Sequence, residues 1–190
     1  ANRLVGYVPD EPYLYDKLTG REFLEFTAGM YGMSSHACKN SIETQIDRFE
    51  LRAFIDQLCE RYSHGMKQRV VFASAMIHNP KVLIVDEPMV GLDPRSMRAV
   101  KDLLRLVADS GAAIFMSTHT LAVAEEIADR IGVITNGTLR FDGTVQELRE
   151  SVKSTDGSNL ESLFLLMTAE EESQADATVH KDEPIERVAS

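Results

Sequence analysis

Two acids side by side at the end of an apolar run are the first residues here that could do chemistry. Lys81 to Pro94 reads KVLIVDEPMVGLDP, and Asp86-Glu87 follow the run Val82 to Val85. Such a run predicts a strand buried on both faces. In a parallel sheet, ligands bind beyond the carboxyl ends of the strands. There the first acid can hold Mg²⁺, directly or through water, and the second can orient and polarise an attacking water. The pair reads equally well as two solvated acids opening a loop.

Three further strings carry possible chemistry. Tyr62 to Arg69 reads YSHGMKQR, a serine and a glycine just before a helix through Val70, Val71, Ala73 and Ile77. Unpaired N–H groups at a helix start attract anions, and a serine hydroxyl adds a donor. The same serine serves as an ordinary N-cap. Ser117-Thr118-His119 follows the apolar run Ala112 to Met116, so an imidazole there can reach a phosphate and its attacking water, or act structurally. Gly6-Tyr7-Val8-Pro9-Asp10 is a strand running into a polar loop.

These strings need a frame. Short apolar runs alternate with amphipathic stretches, which predicts an α/β domain with a parallel sheet. Leu4 to Val8, Val82 to Val85 and Ala112 to Met116 read as strands, the last two as buried. Thr19 with Glu22 forms a capping box for a helix whose apolar face is Phe23, Leu24, Phe26 and Tyr31. Further helices are predicted over Ile42 to Phe49, over Ala53 to Leu58 and after Asp93-Pro94, where Met97, Val100, Leu103, Leu104 and Val107 recur at helical spacing. Leu121 to Ala128 reads as a helix, Ile131 to Phe141 as a hairpin around Asn136-Gly137, and Thr144 with Glu147 as the cap of a short helix. Ser151 to Ser158 reads as a linker and Leu160 to Met167 as a last apolar helix.

Composition bounds the function. The 190 residues are 44% hydrophobic and 26% charged, suited to one globular domain. A net charge of −10 argues against a nucleic-acid partner, which needs a surplus of Lys and Arg. Residues 169–190 carry seven acids against two bases, which predicts an acidic, disordered tail beyond a domain over residues 1–168. Cys38 and Cys59, without CxxC spacing, read as two reduced thiols rather than a disulfide or zinc site. No apolar run approaches the roughly 20 residues needed to span a bilayer.

In this order and spacing, the strings resemble the nucleotide-binding subunit of ATP-binding cassette (ABC) transporters, from about Arg3 to Thr168. YSHGMKQR resembles the family's signature motif, VLIVDEP its Walker B strand and catalytic glutamate, and Gly91-Leu92-Asp93 its D-loop. STH resembles the switch histidine, and Gly6 to Asp10 sits where the Q-loop sits. GMKQR and the string ESLFLLMT look most like exporters with ABC-2-type permeases.

The resemblance implies an α/β fold of the P-loop NTPase type, its mostly parallel sheet joined to a helical subdomain at about 12–65. It implies ATP and Mg²⁺ as ligands, and a head-to-tail dimer with a second nucleotide-binding subunit. Ser63, His64 and Gly65 would meet the γ-phosphate held by that subunit. Asp86, with Asp10, would support Mg²⁺, and Glu87 would be the base or water-orienting group. His119 would contact the γ-phosphate, and Asp93 would link the two sites. An integral membrane permease would hold the subunit on the inner face of the membrane. Tyr13 and Tyr15 are either contacts to that permease or partly buried against their own helix.

Two positions and one missing motif depart from the family pattern. His64 stands where the signature often has a glycine, and Asp10 where many members have glutamine. No glycine is followed by lysine, so G-x-x-x-x-G-K-[S/T], the phosphate loop, does not occur in the sequence. The expectation is a chain lacking the N-terminal phosphate-loop part, inactive alone and with apolar strand edges exposed beside Val8, Val85 and Met116. A non-catalytic nucleotide-binding or regulatory module stays open as the alternative. A chromosome-maintenance ATPase of the same superfamily is disfavoured: only roughly fifty residues separate Asp10 from Ser63, without the heptads of a coiled coil.

Overall fold

Three parallel strands form the frame, in the spatial order β1 (Val5–Val8), β2 (Val82–Asp86), β3 (Ala113–Ser117). Tyr7 stands opposite Ile84, and Ile84 opposite Phe115. The computed structural model describes residues 2–89, 92–151, 160 and 164–165. They fall into two compact units, Ala1–His119 and Thr120–Ser190. The predicted linker, most of the last helix and the acidic tail lie outside the described residues, as does Gly91.

In the first unit, β1 leads to two helices before returning to the sheet. α1 (Gly20–Met30) begins at the expected capping box: Thr19 Oγ accepts from Glu22 N–H, and the Glu22 carboxylate accepts from Thr19 N–H. These bonds hold the Glu22 pKa below its ordinary value. α2 (Ser35–Arg48) starts seven residues earlier than predicted, because Ser34 accepts from Ala37 N–H at 3.3 Å. The helix predicted over Ala53 to Leu58 does not form; residues 52–56 are turns. The Tyr62 hydroxyl donates to the carbonyls of Phe54 and Ile55 in that segment, at 3.0 and 3.3 Å. It also accepts from Gly20 N–H at 3.1 Å, tying the turns to the start of α1.

α3 (His64–Met76) lies against β1, α4 (Pro94–Asp109) lies against β3, and the two helices touch. Strand order following chain order places both right-handed crossovers on one face of the sheet. Leu83 and Val85 are fully buried on that face, and Val70, Phe72 and Ile77 are buried as well. Each such side chain contributes about 1.5–3 kcal/mol when withdrawn from water.

The opposite face is open, which corrects the expectation of strands buried on both faces. Tyr7, Ile84 and Phe115 are 54%, 36% and 67% exposed, in one row across the sheet. An apolar run reports strand type, but not how many of its faces are covered. The apolar exposure falls on this face, while Val8 and Val85 are buried.

In the second unit, α5 (Leu121–Ile127) precedes the antiparallel pair β4 (Ile131–Thr135) and β5 (Thr138–Gly143). Asn136 and Gly137 both take positive φ, 51° and 74°, as a type I′ turn requires. α6 (Val145–Ser151) is capped by Thr144 and Glu147. Ile131, Leu148 and Leu160 form the core of this unit. Among the described residues, no helix is long and apolar enough to cross a membrane.

Candidate functional site

β2 and β3 end side by side, and their last residues build a cluster. Asp86 pairs in register with Ser117, whose hydroxyl donates to Asp86 Oδ1. The Glu87 N–H donates to the Ser117 carbonyl at 3.1 Å, just past the strand. Glu87 has φ of 40°, a left-handed backbone that non-glycine residues seldom adopt. That conformation turns its carboxylate toward His119, whose Nδ1 lies 2.9 Å from Glu87 Oε1. Glu87 Oε2 is buried and without a hydrogen-bond partner. An acceptor left in that state costs about 1–3 kcal/mol, so unpaired oxygens of this kind concentrate where a ligand or water completes them.

Tyr7 and Asp10 flank this cluster from β1. Tyr7 points to the same side of the sheet as Ile84 and Asp86. Partial burial, then the charges of Asp86 and Asp10, hold its phenol pKa above the ordinary value. Asp10 is exposed, and its Oδ1 accepts from Glu11 N–H at 2.8 Å.

The serine-glycine string forms the start of α3. Ser63 is the N-cap: its hydroxyl accepts from Met66 N–H at 3.3 Å. Ser63, His64 and Gly65 are all exposed. A groove of about 300 Å³ runs past Ser63 and Gly65 to Gln68, Arg69, Arg95 and Ser96. Asp93 caps α4, accepting from Arg95 N–H, Ser96 N–H and the Ser96 hydroxyl at 2.9, 3.1 and 2.7 Å. These bonds, the Ser96 hydroxyl first, hold its pKa below the ordinary value. Tyr13 and Tyr15 are exposed and meet edge to face, with ring centres 5.7 Å apart.

The structure thus brings Asp86, Glu87 and His119 together, while the one hydrogen bond seen at Asp10 is to Glu11. Among the described residues, no hydrogen bond joins Ser63 or His64 to that cluster. The link is Gln68, whose side chain donates to the Pro88 carbonyl at 3.2 Å. Tyr7, Ser117 and Gln68 were not singled out as site residues from the sequence. Strand alternation puts Tyr7 and Asp86 on one face only once the pairing register is known.

The ABC transporter family model matches residues 1–90. A solved structure of the ATP-binding subunit of an ABC transporter superposes with a TM-score of 0.73 at 32% identity, covering 87% of this chain and 69% of that one. The chain belongs to the ABC transporter ATP-binding family. Its fold is the α/β, P-loop NTPase type of these ABC ATPases, as the resemblance implied. CbiO1 of Clostridium perfringens, part of the cbiONQ transporter complex, shares that fold with a TM-score of 0.70 at 24% identity over 80% of this chain and 62% of that one.

Among curated ABC relatives, EcsA of Bacillus subtilis is 36% identical over 87% of this chain. SkfE of the same organism, an ATP-binding protein of SkfA peptide export, is 36% identical over 80% of it. LnrL, a linearmycin resistance ATP-binding protein also from B. subtilis, is 30% identical over 95%. The chain spans 66%, 64% and 60% of the lengths of these three relatives.

Proposed function

We propose that this chain acts in ATP hydrolysis that powers a membrane permease. The observation that carries the reading is Glu87, one carboxylate oxygen bonded to His119 and the other buried and unpartnered beside Asp86. That second oxygen is suited to accept a hydrogen from a water. The water oxygen attacks the γ-phosphorus, the bond to ADP breaks, and the proton leaves through the Glu87 carboxylate. His119 holds Glu87 through Nδ1 and keeps Nε2 for a phosphate oxygen.

The oxygen donors at Asp86 and Ser117 are hard ligands of the kind Mg²⁺ prefers. Among the described residues, no cluster of three or more His, Cys, Asp or Glu is arranged to hold a metal. That donor set suits an ion held by one or two carboxylates together with phosphate oxygens. Bound there, Mg²⁺ supplies neutralising charge to the phosphates. Asp86 would hold it, and Asp10 would add negative charge.

In this reading two nucleotide-binding subunits meet head to tail. Ser63 and Gly65, with the free N–H groups opening α3, face a γ-phosphate held on the second subunit, and His64 lies alongside. Asp93 lies at the junction of the two sites. The lysine-bearing phosphate loop needed for the nucleotide is not among these 190 residues. The name of SkfE, a peptide-export protein, supports export as the direction, with the subunit on the inner membrane face through its permease. Tyr13 and Tyr15 are proposed permease contacts.

The test is Glu87→Gln in the full-length protein assembled with its partners. Nucleotide binding is expected to persist while hydrolysis falls at least about 100-fold. Turnover near wild type would remove Glu87 from the role.

A further inference from the structure

Glu87 presents its carboxylate from a backbone conformation that the local chain resists. Its φ of 40° lies in the left-handed region, where a Cβ crowds the following carbonyl oxygen. Pro88 comes next, and a proline ring pushes the residue before it toward extended backbone. Such a conformation persists only where its surroundings over-determine it.

Two hydrogen bonds bracket the strained residue. On its amino side, the Glu87 N–H donates to the Ser117 carbonyl of β3 at 3.1 Å. On its carboxyl side, Pro88 has no N–H to offer, and its carbonyl accepts from the Gln68 side chain at 3.2 Å. Gln68 and Pro88 are both buried, Gln68 with 8% exposure, so the bond is sheltered from competing water. Gln68 belongs to α3, whose residues Val70 to Ala73 are buried and which lies against β1 and α4. The carbonyl is therefore tied to a packed helix. At the other end of Glu87, Oε1 meets His119 Nδ1 at 2.9 Å and Oε2 is buried without a partner. Relaxation of the backbone at 87 and 88 would swing both oxygens.

We infer that Gln68 is a positioning residue for ATP hydrolysis: through the Pro88 carbonyl it holds Glu87 in the left-handed conformation that aims its carboxylate at the attacking water. The inference rests on the proposed role of Glu87. Misplacing a reacting group by about 1 Å lowers a rate by up to about 100-fold.

The experiment uses the full-length protein assembled with its partners, and compares wild type with Gln68→Leu, Gln68→Glu and Glu87→Gln. Leucine fills the space and cannot donate. Glutamic acid donates to the Pro88 carbonyl when protonated and repels it when ionised. All assays run well below the melting temperature of each variant. Gln68→Leu is expected to lower kcat about 10-fold or more, while KM for ATP and the affinity for the non-hydrolysable analogue AMP-PNP stay in place. In Gln68→Glu, kcat relative to wild type at the same pH should rise as pH falls from about 8 to about 6, as the buried acid takes up its proton. A bond that served packing alone would lower the melting temperatures and leave kcat and its pH profile as in wild type. That result, with Glu87→Gln still impaired, would overturn the inference and leave the ATPase reading standing. Failure of both Gln68 variants to fold would overturn it too, since the bond would then belong to folding. If Glu87→Gln itself turns over near the wild-type rate, the proposed function falls and the inference with it.

Discussion

Gln68 donates its side-chain N–H to the carbonyl of Pro88 across 3.2 Å, and both residues are buried. The bond joins the helix that starts at Ser63 to the turn that follows Glu87. It ties the helix opened by the serine-glycine string to the turn after the acid pair. Replacing Gln68 by Leu keeps the bulk but leaves the Pro88 carbonyl without its donor. Unfolding in urea is expected to show a loss of about 1–3 kcal/mol. Unchanged stability would mean that water satisfies that carbonyl instead.

Two glycines with opposite surroundings give a paired prediction. A Cβ on Gly6 would stand 2.5 Å from the Ala75 carbonyl oxygen, so β1 and α3 meet backbone to backbone there. Gly6→Ala is expected to cost about 1–3 kcal/mol through forced separation of strand and helix. Gly29, inside α1, has nothing within 4 Å of its added Cβ. Gly29→Ala should stabilise by about 0.5–1 kcal/mol, because alanine loses less backbone freedom in a helix. Thermal melts of the two variants should therefore move in opposite directions.

Features governed by neighbours along the chain were legible in the sequence. The Thr19–Glu22 capping box, the Asp93-Pro94 start of α4 and the Asn136-Gly137 turn all form where their residue types require. Features governed by distant contacts were not. The first turns of α2, Ser35 to Asn40, carry no large apolar residue, so apolar periodicity could not mark them. Phe54 and Ile55 read as helical until the Tyr62 hydroxyl takes their carbonyls. The acids and the histidine of the site were visible as types at strand ends. The placement of Tyr7 and Gln68 was hidden, because one depends on strand register and the other on a contact twenty residues along the chain.

His78 makes the first unit sensitive to mild acid. Its ring stacks on Tyr31 with centres 3.7 Å apart, and Nε2 donates to the Val5 carbonyl at 3.1 Å. Nδ1 is buried without a partner, so a second proton there would have no acceptor. Burial holds its pKa below the ordinary 6.5, outweighing the opposite effect of the Val5 bond. A depressed folded-state value means that the unfolded chain takes up the proton first. The contribution is present above pH 6.5 and is lost as pH falls through the folded value. Glu22, Asp93 and Glu147, also depressed, begin to act only near their ordinary values of 4.5, 3.8 and 4.5. Urea midpoints taken from pH 7.5 down to about 5 should therefore fall in the wild type and fall less in His78→Phe, which keeps the stacked ring. Equal slopes would assign the acid sensitivity elsewhere.

Gly65 separates what the fold needs from what a ligand needs. It is the second residue of α3, and an added Cβ would meet nothing within 4 Å. Neither a clash nor, among the positive-φ glycines, an unusual backbone angle at Gly65 calls for glycine there. By helix propensity alone, Gly65→Ala should leave stability unchanged or raise it by up to about 1 kcal/mol. A glycine kept at an exposed helix start has a different use, since it lets the backbone N–H groups approach an anion closely. In the assembled full-length protein the same substitution is expected to lower ATP hydrolysis by about 10-fold or more, the cost of disturbing one stabilising donor. A stable variant with reduced turnover is the expected pair of results. Full turnover in a stable Gly65→Ala protein would mean that no phosphate comes within reach of this helix start, and the head-to-tail arrangement would lose its main chemical reason.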